Sequence, residues 1–146
     1  MNKIFIGSDH GGYNLKEKIK EVFLGLGYEF EDMGTNSLES CDYPVYAEKV
    51  AQKVLSENGR GILVCGTGIG MSIAANKFKG IRASHCTDTF SARMTREHND
   101  SNILCLGERI TGQDLALDIV KIWLDTPFSN GERHINRINM IKNFEG

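Results

Sequence analysis

The sequence predicts an α/β fold: a three-layer α/β/α sandwich around an open, five-stranded parallel sheet, with a C-terminal tail helix. Three observations carry this. Strand-like and helix-like patterns alternate along the whole chain. The run Ile62-Leu-Val-Cys65 is unbroken and apolar, as in a strand buried on both faces. A glycine-rich turn and a helix-forming stretch follow it at once, in Gly66-Thr-Gly-Ile-Gly-Met-Ser72.

Each element has its own signal. Residues 3–7 form a short apolar strand. Leu15, Ile19, Val22, Phe23 and Leu26 then recur at helical spacing. Residues 28–33 alternate in polarity and predict a second strand at or near a sheet edge. Residues 43–55 predict a helix with Val50, Val54 and Leu55 turned inward. Residues 61–65 are the third strand and 69–78 a short helix. Residues 81–86 and 102–106 are strands four and five, with a helix over 89–97 between them. An amphipathic helix spans 113–124, and the tail helix spans 133–144. Repeated β-α order places the strands parallel and the helices on both faces. Residues 125–132, with Pro127 and Gly131, are the only hinge-like stretch. No tandem repeat or linker interrupts the pattern, so one domain over residues 1–146 is expected.

Composition excludes several function classes. The 146 residues are 40% hydrophobic and 25% charged, with a net charge of −2. This is an ordinary soluble composition, with no charge-driven nucleic-acid or membrane partner. No apolar run reaches transmembrane length. The first residues enter a strand without a signal-peptide pattern, so a cytoplasmic protein is expected. Cys41, Cys65, Cys86 and Cys105 are widely spread, with no CxxC pair. Zinc and dithiol redox chemistry are therefore poorly supported, and reduced thiols suit the cytoplasm.

Ligands of parallel sheets bind beyond the carboxyl ends of the strands. Strand one runs into Gly7-Ser-Asp-His-Gly-Gly12, and strand three into Cys65-Gly-Thr-Gly-Ile-Gly70. If these strands are neighbours, Asp9, His10, Cys65 and Thr67 converge over one crevice. Backbone N–H groups and a helix N-terminus there favour an anion and stabilise a thiolate. Plainer readings stand beside these. Asp9 is also a candidate helix cap. Cys86 and Cys105 read as inert packing. Gly66, Gly68 and Gly70 with Asp88 make only a weak dinucleotide fingerprint, because the third glycine is displaced.

Two further clusters stand out. His98, in Arg96-Glu-His-Asn-Asp100, is either a favourable charge at a helix C-terminus or a histidine placed to titrate over the mouth of the sheet. Arg133 and Arg137, four residues apart, share one helical face. They form either a solvated face pairing with Glu132 or Glu145, or a phosphate clamp that Arg109 could join.

Taken together, these residues closely resemble the type B ribose-5-phosphate isomerases, within the sugar-phosphate isomerase group that includes galactose-6-phosphate isomerase. The resemblance runs over almost the whole chain. It is carried by Ser8-Asp-His-Gly-Gly12, Asp42-Tyr-Pro44, the stretch from Cys65 to Lys77, Gly80-Ile-Arg-Ala83, Arg96-Glu-His-Asn-Asp100, Arg133 and Arg137. It implies a Rossmann-like sandwich, no metal or other cofactor, and a homodimer or dimer of dimers with shared active sites. It also implies interconversion of ribose 5-phosphate and ribulose 5-phosphate in the pentose phosphate pathway, through ring opening and a cis-enediolate.

The resemblance assigns roles by position. Cys65 matches the base and His98 the ring-opening residue. The loop Gly66, Thr67, Gly68, Ile69 and Gly70 matches the oxyanion-stabilising stretch, with Ser72 in the substrate-binding set. Thr67 would bond a substrate oxygen or orient the thiolate, and Asp9 would bond sugar hydroxyls and assist proton movement. Tyr43 and Asn99 match substrate contacts. His10, Arg109, Arg133 and Arg137 match the phosphate end. Some relatives use a glutamate on the helix after the glycine loop; residues 71–77 hold no acid, which favours Cys65. His98 and Asn99 are implied to reach the Cys65 loop of a second subunit. The alternatives are an isomerase of a six-carbon sugar phosphate (allose 6-phosphate or galactose 6-phosphate) and a catalytically silent phosphosugar-binding module.

Overall fold

The computed structural model describes residues 3–146. Five strands alternate with helices: β1 (Ile4–Ser8), α1 (Tyr13–Leu24), β2 (Phe30–Asp32), α2 (Tyr43–Glu57), β3 (Arg60–Cys65) and α3 (Ile69–Ala75) come first. β4 (Ala83–His85), α4 (Thr89–Asn99), β5 (Ile103–Gly107), α5 (Gln113–Asp125) and α6 (Glu132–Asn143) complete the chain. The sheet order is β2-β1-β3-β5-β4, and every pairing is parallel. β2 lies at an edge, as its alternation predicted. β1 and β3 are neighbours, with Ser8 opposite Val64. Their two outgoing loops therefore share one edge of the sheet.

Period-two alternation divides the core between the two faces. Ile4, Ile6, Ile62, Val64, Leu104 and Leu106 pack against Ile19 and Phe23 of α1 and Trp123 of α5. Phe5, Leu63, Cys65, Ile103 and Cys105 face Ala47, Val50 and Val54 of α2 and Met71 of α3. Each fully buried aliphatic side chain contributes about 1.5–3 kcal/mol, so these central strands carry much of the stability. Helices start and stop on local chemistry. Asp88 caps α4 by accepting the Ser91 amide at 2.7 Å. Asn58 and Asp100 end α2 and α4 in the left-handed region, which their short polar side chains tolerate.

Several expected boundaries move. Leu55 is 43% exposed rather than inward, because the buried stripe of α2 runs through Val50, Ala51 and Val54. Helix α1 stops before Leu26, at the glycine pair Gly25 and Gly27, the latter with φ +89°. Helix α3 stops at Ala75, where the Asn76 side chain turns to bond the backbone of Ala83.

One ion pair holds the first loop. Lys16 is fully buried and donates to Asp32 at 2.7 Å and to the Thr35 carbonyl at 2.6 Å. Lys20 adds a second ammonium on Asp32. Asp32 also accepts the Gly34 amide, and Gly34 and Thr35 extend the ladder along Ser8. Burial raises the Asp32 pKa, but the bonds from Lys16, Lys20 and the Gly34 amide outweigh it and hold the carboxyl below its ordinary range. A carboxylate with a depressed folded pKa contributes stability above its unfolded pKa and loses it as pH falls through the folded value. Asp32→Asn should therefore cost about 2–3 kcal/mol at pH 7, since it strands a buried ammonium. Urea titrations should show the gap between variant and wild type closing as pH falls below about 4.

Candidate active site

The β1–α1 and β3–α3 loops meet because glycines let their backbones touch. A Cβ on Gly12 would lie 2.4 Å from the Val64 carbonyl oxygen, and one on Gly11 would lie 3.2 Å from the Gly66 nitrogen. Asp9 is a cap, as the plainer reading had it: its Oδ1 accepts the amides of Gly11 and Gly12 at 2.9 and 3.1 Å. Its Oδ2 accepts no hydrogen bond from the described residues, so one oxygen builds the loop and the other remains for a ligand. His10 is held through Nδ1, which accepts the Cys41 amide at 3.2 Å. In the neutral ring this places the proton on Nε2, leaving a donor free.

Cys65 ends β3 and is buried. Its Sγ accepts the Gly68 amide at 3.1 Å. Gly68 reaches that position with φ +82°, and a Cβ there would strike His85 and the Leu106 carbonyl carbon at 2.8 Å. Thr67 Oγ1 accepts the Ile69 amide at 3.2 Å, and Ser72 Oγ donates to the Ile69 carbonyl at 2.8 Å. The amides of Gly66 and Thr67 donate to no other group among the described residues. The Tyr43 ring lies over Gly70, and Arg109 lies against Gly66. One crevice thus gathers Asp9, His10, Tyr43, the loop from Cys65 to Gly70, Ser72 and Arg109.

His98, Asn99, Arg133 and Arg137 are not in it. The expectation that His98 sits over the mouth of the sheet is corrected. Helix α4 starts at the carboxyl end of β4 and runs back antiparallel, so its last residues lie at the amino ends of the strands. There Arg82, just before β4, donates to the carbonyls of Asn99 and Asp100 at 3.0 and 3.2 Å. Helix α6 packs against this end of α4. His134 stacks on His98 with ring centroids 4.3 Å apart and planes 13° from parallel. Arg133 and Arg137 flank that stack and are exposed, and neither forms an ion pair with Glu132 or Glu145. Glu145 instead caps the Gly80 amide. His134 loses proton affinity through burial first, then through His98 and the two arginines beside it.

The chain therefore carries two polar clusters at opposite edges of its sheet. One holds a thiol, a carboxylate and amide donors; the other holds an imidazole pair and two guanidinium groups. A family model for Ribose/Galactose Isomerase matches residues 4–141. The chain belongs to that family. Ribose-5-phosphate isomerase B of Escherichia coli (strain K12) is 47% identical over 146 residues, covering 99% of this chain and 97% of its own. The structure of Clostridium thermocellum ribose-5-phosphate isomerase B matches with a TM-score of 0.95 and 57% identity over 98% of this chain and 97% of that one. A ribose-5-phosphate isomerase B from Mycoplasma genitalium, solved with bound ribulose-5-phosphate, matches with a TM-score of 0.94 and 38% identity, covering 98% and 95% of the two chains. As a ribose/galactose isomerase, the chain catalyses aldose–ketose isomerisation of a sugar phosphate.

The structure adds residues beyond the motifs. His85 presses against Gly68, and its buried Nε2 has no hydrogen-bond partner. Its signal was its place at the carboxyl end of a strand. His134 had a signal too, lying between the two arginines. The other core thiols are set apart from Cys65. Burial, then Asp88, pushes the Cys86 thiol up to about 12. Burial, then Cys65 and Cys86, pushes Cys105 up as well. Both remain thiols at neutral pH. Iodoacetamide at pH 8 should leave Cys86 and Cys105 unmodified in the native isomerase and label them only after unfolding, as peptide mass spectrometry would show.

Proposed function

We propose that this chain interconverts ribose 5-phosphate and ribulose 5-phosphate, in active sites that each combine the crevice of one copy with the His98–Arg137 cluster of a second. The separation of the two half-sites across the sheet is the observation that carries this reading. Helix α4 has 11 residues and so spans about 16 Å. A histidine side chain does not bridge that distance, so one chain alone does not assemble the constellation. The surface of each chain supports pairing. Ile69 and Ile73 beside the crevice are 50% and 60% exposed, and Met140 and Phe144 on the tail are 61% and 84% exposed. Four free cysteines suit a reducing cytoplasm, and no described helix is long and apolar enough to cross a membrane.

The chemistry follows from the groups in place. Arg133 and Arg137 of one copy, with Arg109 and the free Nε2–H of His10 in the other, take the phosphate by forked, charge-assisted bonds. His98 moves a proton between the ring and anomeric oxygens, opening the sugar. The Cys65 thiolate then takes the proton from C2 of the aldose, and the C2–H electrons form the enediolate double bond. Backbone amides of the glycine loop receive the charge on oxygen, where such donors lower the barrier by about 3–4 kcal/mol each. The free oxygen of Asp9 carries a proton between O2 and O1. Cys65 returns its proton to C1, giving the ketose with no net redox change and no co-reactant. Tyr43, Asn99, Thr67 and Ser72 line the path of the sugar hydroxyls.

Replacing Cys65 by Ala should abolish turnover and solvent-deuterium incorporation into substrate while substrate binding persists. Unchanged deuterium exchange in that variant would remove Cys65 as the base. Steady-state comparison should rank ribose 5-phosphate above six-carbon sugar phosphates.

Mixing tests the shared site separately. Cys65→Ala and His98→Asn homodimers should each be inactive. After reversible dissociation, about half of the dimers are mixed, and each mixed dimer holds one intact site. About a quarter of wild-type activity should return. Verified subunit exchange without recovery would refute the shared site and leave the isomerase assignment intact.

A further inference from the structure

A second cleft, of about 670 Å³, opens at the amino ends of the strands, between the end of α2, the 125–130 segment and the tail. Its walls carry Arg60, Arg82, Arg96 and Lys142, against the carboxylates Asp100 and Asp125. Both carboxylates are already engaged. Asp100 takes Arg96 at 2.9 Å and Arg82 at 3.6 Å. Asp125 takes Lys121 at 2.6 Å and the Tyr28 hydroxyl.

Arg60 is left over. It forms no ion pair among the described residues. Its Nη1 donates to the Leu124 carbonyl at 3.0 Å, while its buried Nε has no partner. Its guanidinium lies 5.5 Å from the Trp123 ring centroid, and the Arg96 guanidinium lies 5.9 Å from the same ring. Burial, then repulsion from Arg96, works against the Arg60 charge, and Tyr28, Asp125 and Asp100 offset this only in part. A half-buried guanidinium beside another, with a donor unspent and its nearest carboxylates already bonded to other cations, is an unfavourable arrangement. Lys142 stands exposed at the rim, and its side chain makes no hydrogen bond or ion pair among the described residues.

We infer that this cleft binds a small oxyanion of the phosphate class, either free phosphate or the phosphate end of a small metabolite. A tetrahedral anion carrying about two charges takes a charge-assisted bond from the Arg60 guanidinium and a point charge from Lys142, and it relieves the Arg60–Arg96 repulsion. The site is separate from the substrate-phosphate residues, since neither Arg133 nor Arg137 lines the cleft. It shares a wall with the loop at the end of α4, where Arg82 and Arg96 hold Asp100.

Equilibrium dialysis of the full chain with radiolabelled inorganic phosphate, at low ionic strength, tests this. An Arg137→Ala background weakens the catalytic phosphate site and should leave one bound phosphate per chain. Adding Arg60→Met should remove it. Lys142→Ala, at an exposed position with no bonds to lose, should weaken it about tenfold and keeps the test open if Arg60→Met does not fold. Tighter binding of glycerol 3-phosphate than of inorganic phosphate would assign the site to a metabolite; the reverse order would assign it to free phosphate. Phosphate binding in the Arg137→Ala background that neither Arg60→Met nor Lys142→Ala alters would overturn the proposal. Two phosphates persisting in Arg137→Ala, one of them removed by Arg60→Met, would leave this site standing and refute only the tail clamp.

Discussion

The direction of the crossover helices is the constraint on which the rest depends. In a parallel sheet every strand points the same way, so each connecting helix must run back. A residue just after a strand lies at the carboxyl edge. A residue at the end of the following helix lies at the amino edge. Cys65, Asp9 and His10 fall in the first class, and His98 and Asn99 in the second. The exposed tail arginines, with no carboxylate partners of their own, and the uncovered apolar residues on α3 and α6 are what a chain holding half of each site would present.

Within the crevice, close backbone approach does the positioning. β5 comes so near the glycine loop that a Cβ on Gly107 would lie 2.4 Å from the Thr67 carbonyl oxygen. The same packing turns the Gly68 amide onto the Cys65 sulfur. The loop thus keeps its shape without side-chain bulk and leaves the Gly66 and Thr67 amides free for a ligand. The cysteines show how strongly place decides chemistry. Cys105 lies on the same sheet face as Cys65, next to it across the β3–β5 ladder but one level deeper, and burial keeps it a thiol. Cys65, at the strand end, receives an amide donor and faces the crevice loops.

The fold was legible in the sequence because its signals are local. Unbroken apolar runs marked β1, β3 and β5, and helical spacing marked α1, α2 and α5. Sheet order was not legible: nothing in the run Ile62-Leu-Val states which strand lies beside it. The crevice residues announced themselves because glycine, acid and thiol follow strand ends. The misplacement of His98 has a simple cause. Its chemistry suited the mouth of the sheet, but its position at the end of a helix did not, and helix direction decides. His85 escaped notice because it acts by contact with Gly68 rather than by a motif. The Arg60 cleft escaped because it joins residues from five separate stretches of the chain.

The stacked histidines show how the second half-site divides its labour. Two imidazoles and two arginines in one small region would repel strongly if all were charged. Burial first, then His98, Arg133 and Arg137, lower the proton affinity of His134, which disfavours a second positive charge beside His98. A neutral ring in parallel stack is then a flat support that orients its neighbour. In the proposed site Arg133 and Arg137 supply the anion affinity. In the proposed mechanism His98 is the group of this cluster that moves a proton. In the crevice, one oxygen of Asp9 and one nitrogen of His10 are spent on structure, and the other atom of each makes no hydrogen bond among the described residues. Asp9 and His10 are each fixed through one atom, so that in the proposed site the second atom meets the sugar phosphate in a defined direction.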